Sequence, residues 1–385
     1  MKAIPVSSLK PNSYFEKPVY IDKGYILLTP EVPVTVELIR RLNDWKYTKL
    51  YSESEKATTT SPDLSSVGAA DKGVLDKSIT ENKIEKSVQT FYSGLLIHFN
   101  GVQNTFYESG DIDMALMTMK VKEIIEWLKK YKNYLIATVL QKRPLENYLI
   151  SHCINSTIIA LSIGEILKFT PHRLIDLGIA CLLHEIGMLK LPPKLYLNNK
   201  VLSAQEKKTL SAHTVLGYKI LKNLSVHDNI AVCAIEHHER ADGTGYPRGI
   251  RNDSISLYSR IISIACSFDG AVSVRPYKRS LDGHKAMVDL LVTHKTQYDE
   301  NILKALVYSI SIFPPGTYVQ LSNNSRGVVT RVNPQNPKFP VVKLFMNEYG
   351  EMLPAPLEVQ TSAEKGVMIK HVLSEEEIKK MNISS

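Results

Sequence analysis

Through the middle of the chain apolar residues recur at helical spacing, as in VKEIIEWLKKYKNYLIATVL and HCINSTIIALSIGEIL, with turns punctuated by Pro or Gly. That period predicts an all-helical domain over residues 81–312. On either side the pattern changes. Residues 1–54 hold short β-like runs, PVYI, YILL and TKLYS, around VTVELIRRLNDW, whose apolar positions share one helix face; a small α+β module is expected there. After Phe313-Pro314-Pro315-Gly316, the runs TYVQL, GVVTRV and PVVKLF are separated by the turn signals NNS, NPQNP and NEYG. They predict a small β module over residues 313–385, with a short helix at EEEIKKM. Residues 55–80 are rich in Ser, Thr, Ala and Gly and poor in large apolar side chains, the composition of a flexible linker. The fold class expected is therefore mainly α, a helical domain flanked by α+β and β modules.

A length of 385 residues has room for two or three such units, and 44% hydrophobic with 22% charged residues fits a soluble globular protein. The first residues, MKAIPVSSLKPNSYFEKP, have no basic stretch followed by an apolar run, and no later segment reads as a membrane span, so a cytoplasmic protein is expected. Cys153, Cys181, Cys233 and Cys266 lie far apart with no CxxC spacing, which points to reduced thiols. The formal net charge of +8 is spread along the chain and interleaved with Glu and Asp, as on a solvated surface. With no basic arm or aromatic RNA-binding motif, nucleic acid is excluded as a partner. Basic residues gather in two places that matter below, at Lys190 and Lys194 and in RPYKR, from Arg275 to Arg279.

Candidate chemistry is confined to the helical domain. His184-Glu185 ends the apolar run LGIACLLHEIG, where both side chains could face a metal, although a buried histidine bonded to its neighbour would read the same way. His152 and His213 sit among apolar neighbours and, taken singly, are structural residues as readily as ligands. His98, His172, His227, His284, His294 and His371 have no interpretable company and are left as core or surface residues. His237 and His238 alter the balance. Two consecutive imidazoles closing the apolar run AVCAIEHHE are costly to bury unless a cation uses their lone pairs. The following DGTGYPRG supplies glycines for close backbone approach and a proline that stiffens the loop.

HHERADGTGYPRGI resembles the signature of the HD-GYP family, a branch of the HD metal-dependent phosphohydrolases whose members hydrolyse cyclic di-GMP. The likeness runs from about Tyr148 to Asp299: CLLHEIG is similar to the family's HD helix end, SAHTVLGYKIL to its next histidine helix, and SRIISIACSFDGAVSVRPYK to its final ligand helix. The resemblance implies two divalent metal ions, iron or manganese, held by His152, His184, Glu185, His213, His237, His238 and Cys266. It implies phosphate contacts from Arg275 and Lys278, and a site mouth shaped by Gly245, Tyr246 and Pro247. Cyclic di-GMP is the implied substrate, and a GGDEF-type or other signalling protein an implied partner at the GYP loop.

Some positions depart from the family pattern. Glu185 replaces the Asp of the HD pair, keeping the charge one methylene further out. Met188 stands where the family has a lysine, so Lys190, two residues on, is the candidate to join Glu185 in catalysis. Cys266 replaces the last ligand Asp; as a thiolate it could hold zinc or iron, and as a neutral thiol it would be a small hydrophobe. Tyr148 occupies the place of an occasional extra carboxylate, with Glu146 close by. Two readings stay open: a phosphodiesterase opening cyclic di-GMP to the linear dinucleotide or GMP, and a degenerate site acting as a cyclic-dinucleotide sensor or interaction module.

Overall fold

Residues 2–15, 17, 19–21, 25–28, 34–44, 47–53, 57–58, 69–141, 147–197, 201–274 and 280–381 are described in a computed structural model of the chain. They form two units, Met1–Glu81 and Asn82–Ser385. The first contains β1 (Lys2–Pro5), β2 (Tyr14–Phe15), β3 (Val19–Ile21), β4 (Tyr25–Leu28), α1 (Val36–Asp44), β5 (Lys49–Ser52) and β6 (Ala57–Thr58). These make a four-stranded sheet of order β1-β5-β3-β4 and a separate β2-β6 pair. Ile4, Val19, Leu28, Leu42 and Leu50 form its buried core. Strand β1 pairs antiparallel with β5, from Lys2 opposite Ser52 to Pro5 opposite Lys49. KAIP is too short for its alternation to stand out from the sequence.

Helix α2 (Ala69–Ser109) begins inside the span whose composition reads as linker. Val74, Leu75, Ile79, Ile84 and Val88 recur there at helical spacing, a periodic signal that residue content alone overlooks.

In the second unit α2 is followed by α3 (Met114–Leu140), α4 (Tyr148–Ile166), α5 (Pro171–Leu183), α6 (Ala204–Ser211), α7 (His213–Asn223), α8 (Asp228–Glu236), α9 (Leu257–Val272), α10 (Gly283–Val288) and α11 (Glu300–Ile310). Helix α4 is apolar or small on nearly every side, so it is stable only when surrounded. It packs against α3, α5, α9 and α11. Among the described residues it is the one helix long and apolar enough to cross a membrane, yet it lies inside this body. Ile154, Ile158, Ile159 and Leu161 are fully buried, each contributing about 1.5–3 kcal/mol of transfer free energy before entropy is counted. Its start is set by Asn147, whose side chain accepts from Ile150 N at 3.3 Å.

The chain then forms β7 (Tyr318–Leu321), β8 (Arg326–Arg331), β9 (Val341–Met346), β10 (Met352–Gln360), β11 (Ile369–Val372) and α12 (Glu375–Lys380). The strands make one antiparallel sheet of order β10-β9-β8-β7-β11 over Val319, Leu321, Val329, Val342 and Leu344. Strands β7 to β9 coincide with the expected runs; β10 and β11 do not. Strand β10 carries Pro354 and Pro356, which argue against a strand, but it lies at a sheet edge, where a missing donor costs nothing. The sheet is tied to the helical body by Val332 N donating to Asn133 Oδ1 at 3.2 Å. The His284 ring also stacks on Phe313 with centroids 4.9 Å apart.

Candidate metal centre

Close backbone packing brings the candidate ligands together. Helix α5 ends at Leu183 with His184 as its C-cap, and a short 3₁₀ turn, Ile186–Lys190, then runs against α7. At Gly187 a Cβ would sit 1.9 Å from His213 O and 2.6 Å from Gly217 N, so any other residue would push the turn away from α7. The approach leaves Glu185 Oε2 3.3 Å from His213 Nε2. Glu185 Oε1 is 3.9 Å from Nε2 of both His184 and His237. His237 is the C-cap of α8, while His152 comes from α4 and Cys266 from α9.

The imidazole orientations show what the cluster is built for. His213 Nδ1 lies 2.6 Å from Leu210 O, His184 Nδ1 2.5 Å from Cys181 O, and His237 Nδ1 3.1 Å from both Cys233 O and Ala234 O. A carbonyl only accepts, so each Nδ1 carries a proton and each Nε2 is the ring atom turned inward. His213 Nε2 and His237 Nε2 are 3.3 Å apart, two acceptors facing each other. Buried Glu185 Oε2 has no hydrogen-bond donor despite its closeness to His213. Converging lone pairs around a buried carboxylate are stable only with a cation among them. The donor atoms fall into two groups: Glu185, His213, His237 and His238, and separately His152, His184 and Cys266. The set is a divalent-metal binding cluster.

Asp269, which the sequence reading passed over, orients the second group. It is fully buried, with Oδ2 2.6 Å from His152 Nδ1 and Oδ1 accepting from Asn155 Nδ2 at 2.8 Å and Ser273 Oγ at 2.9 Å. Tyr92 OH donates to Asn155 Oδ1 at 2.7 Å, which fixes the amide in turn. A carboxylate behind a histidine holds the ring's orientation and raises its basicity. The available signal was one acidic residue, three positions after Cys266, in an otherwise apolar helix.

The electrostatics follow from burial and crowding. Burial would raise the Glu185 carboxyl, but His213, His184 and His238 outweigh it and hold it at about 2. Burial holds His237 well below the ordinary imidazole range, and the crowding of His238, His184 and His213 around it opposes protonation in the same way. It does the same to His238 against an upward pull from Glu185. Both rings are therefore neutral, the form that binds a metal. Burial would lower His152, yet its bonds to Asp269 and Cys266 raise it to about 10. At Cys266 burial raises the thiol, while His184 and His152 bring it down to about 6.

The cluster floors a cavity of about 580 Å³. Its rim includes the loop after His238. Glu239, buried, accepts from Arg248 N at 2.8 Å and Ile250 N at 3.1 Å, so the loop folds around one carboxylate. A Cβ at Gly245 would lie 2.5 Å from Arg240 N, Glu239 Cα and His238 O, which is why glycine is required. Tyr246 then stacks on His238, centroids 4.6 Å apart, and its peptide bond to Pro247 is cis. Tyr148 stacks on His152 at 5.6 Å and lines the cavity. Arg240, also unremarked in the sequence, reaches the cavity wall with its guanidinium on Ser263 Oγ and over the Tyr298 ring, 5.0 Å from its centroid.

Lys190 is not brought to the cluster. It is exposed, with its ammonium 5.0 Å from the centroid of the Phe106 ring, whereas Met188 lines the cavity. A step of two residues in this tight turn points the two side chains apart, so the structure does not place Lys190 in the catalytic role expected of it. Arg275, Lys278 and Glu146 lie outside the described residues.

Residues 127–302 match the family model of the HD domain, and residues 318–381 match that of a KOW domain associated with the HD domain. The chain is 27% identical over 234 residues to the cyclic di-GMP phosphodiesterase PdeB of Borreliella burgdorferi, covering 60% of this chain and 62% of that protein. It is 27% identical over 249 residues to a cyclic di-GMP phosphodiesterase of Pseudomonas aeruginosa, covering 64% and 59%. Over 146 residues it is 36% identical to the 3′3′-cGAMP-specific phosphodiesterase 3 of Vibrio cholerae, covering 38% and 32%. The chain thus spans about 60% of the length of the first two relatives. Residues 127–302 are thus an HD domain, followed over residues 318–381 by the KOW module that accompanies such domains, and the chain is similar to HD-type cyclic-dinucleotide phosphodiesterases.

Proposed function

We propose that this chain hydrolyses a cyclic dinucleotide of the cyclic di-GMP class to the linear dinucleotide, or on to GMP, in the cytoplasm. The observation that carries the reading is the convergence of buried Nε2 lone pairs on Glu185 at the floor of an open cavity. The relatives named above act, by name, on such substrates. In this reading two divalent ions would be held, one by His152, His184 and Cys266 and the other, iron or manganese, by His213, His237 and His238, with Glu185 within reach of both groups. Divalent ions held there supply Lewis acidity, acidifying water and neutralising phosphate charge.

The chain's own residues supply the rest. Asp269 and the backbone carbonyls of Leu210, Cys181 and Cys233 keep the imidazole lone pairs aimed inward. Arg240, held by Ser263 and Tyr298, offers a planar donor to the non-bridging phosphate oxygens. Arg275 and Lys278 add further phosphate contacts in this reading. Tyr246, backed by His238, gives a nucleobase an aromatic face at the mouth. The same loop is the face for a GGDEF-type signalling partner.

One observation favours a second reading, a cyclic-dinucleotide sensor: Met188 lines the cavity where a lysine would bring a cation, and Lys190 is turned to Phe106. A single experiment separates the two. The metal-loaded full chain is incubated with cyclic di-GMP and, separately, 3′3′-cGAMP, with products followed by chromatography and binding by calorimetry. Linear dinucleotide is the expected product; binding without turnover selects the sensor, and neither binding nor turnover overturns both.

A further inference from the structure

The two ligand groups differ in chemistry. Glu185, His213, His237 and His238 offer only nitrogen and oxygen, while the other group adds sulfur to two imidazoles. Cys266 Sγ lies 3.1 Å from His184 Nε2. His184 Nδ1 is committed to Cys181 O at 2.5 Å, and His152 Nδ1 to Asp269 Oδ2 at 2.6 Å. Both rings must therefore use Nε2 toward the space that the sulfur shares. Cys266 is only 9% exposed and lies on the cavity wall, so its sulfur is enclosed by nitrogen donors and still reachable by a small ion. Cys233, by contrast, spends its thiol on Asn229 O at 3.3 Å.

Thiolate is a soft ligand that favours zinc and its neighbours, whereas carboxylate with imidazole also suits harder ions such as manganese. We propose that His152, His184 and Cys266 form a thiolate half-site selecting a soft divalent ion of the zinc class, beside a harder Glu185, His213, His237 and His238 half-site. This deepens the metal-centre reading and rests on it. Binding forms a metal–sulfur bond, and any proton still held by the sulfur or by the two Nε2 atoms leaves to solvent. The metal content is then mixed, one softer and one harder ion, where a ligand oxygen at position 266 would leave both halves alike.

The test uses cobalt(II) as a probe on the full chain after chelation. Wild type is expected to show a sulfur-to-cobalt charge-transfer band in the near ultraviolet. Cys266→Ser and Cys266→Asp should lose it, and Cys266→Asp should keep the bound cobalt. In equilibrium dialysis against mixed zinc and manganese, Cys266→Asp should lower the zinc-over-manganese ratio by about 10-fold or more. Bound cobalt without the band in wild type, or a band persisting in Cys266→Ser, overturns the thiolate half-site while leaving a metal centre intact. Absence of any bound cobalt sinks the metal centre itself. Circular dichroism checks that the variants fold; if neither does, X-ray absorption at the zinc edge of wild type decides, a sulfur neighbour supporting the proposal and an all nitrogen and oxygen shell overturning it.

Discussion

The C-terminal sheet buries Val319, Leu321, Val329, Val342 and Leu344 and, among its described residues, no ionisable side chain. The helical body, besides a far larger apolar core, buries His152, His184, Glu185, His213, His237 and Asp269 in and behind one polar cluster. Burying an unpaired charge or a starved lone pair costs several kcal/mol, so a fold keeps such groups only where something compensates them. The core of the sheet is closed by apolar packing, whereas part of the helical body's stability rests on what its polar cluster holds. The two regions should therefore respond to different insults.

Removing divalent ions is expected to have the largest effect. Turnover should vanish, and the helical body should lose about 2.7 kcal/mol or more relative to protein with ion at a hundred times its Kd. Calorimetry with and without chelator measures this, and a melting temperature indifferent to ions would erase the contrast between the regions.

Leu321→Ala tests the other side. Leu321 is fully buried in the sheet core, and the substitution should cost about 2–5 kcal/mol in denaturant unfolding with metal affinity unchanged. A large drop in metal affinity would mean that the sheet helps to shape the centre.

Asp269→Asn replaces the carboxylate behind His152 while keeping its size. Metal affinity should weaken by about 10–100-fold, measured by competition with a chromophoric chelator. An unchanged affinity would reduce Asp269 to a packing role.

A smaller effect is expected at Lys190, whose ammonium covers Phe106. Lys190→Ala should cost about 0.5–1 kcal/mol of stability and leave kcat and KM as they were. A fall in kcat would instead bring that lysine to the substrate and undo the placement argued above.

The smallest effect concerns α12, where Glu377 accepts from Ser374 N and Ser374 Oγ, each at 2.8 Å. Those bonds, with His371, hold its carboxyl at about 2 against an ordinary 4.5. Because the folded value is the lower one, the cap's contribution is complete above about pH 4.5 and disappears as pH falls through 2. Fraying of α12 in that window should be visible in its amide signals, with the β7–β9 ladder intact.

By itself the sequence determined that the middle of the chain is helical, that its two ends carry small sheets, and that the paired histidines opening HHERADGTGYPRG are candidate metal ligands. Those properties are local: helical spacing decides which residues share a face, and adjacent histidines followed by a glycine-rich loop restrict the chemistry whatever the surrounding fold. Strand β10 was hidden because its prolines are tolerable only at an edge, and edges belong to the assembled sheet. Only the tertiary structure paired His152 with Asp269, 117 residues apart, turned Arg240 to the cavity wall, sent Lys190 to Phe106, and divided the ligands into a nitrogen-and-oxygen group and a sulfur-bearing one. Spacing along a chain fixes neighbours on one element, but which elements meet, and how closely, is settled by packing, as at Gly187, where the turn after Glu185 closes on α7 with no room for a Cβ.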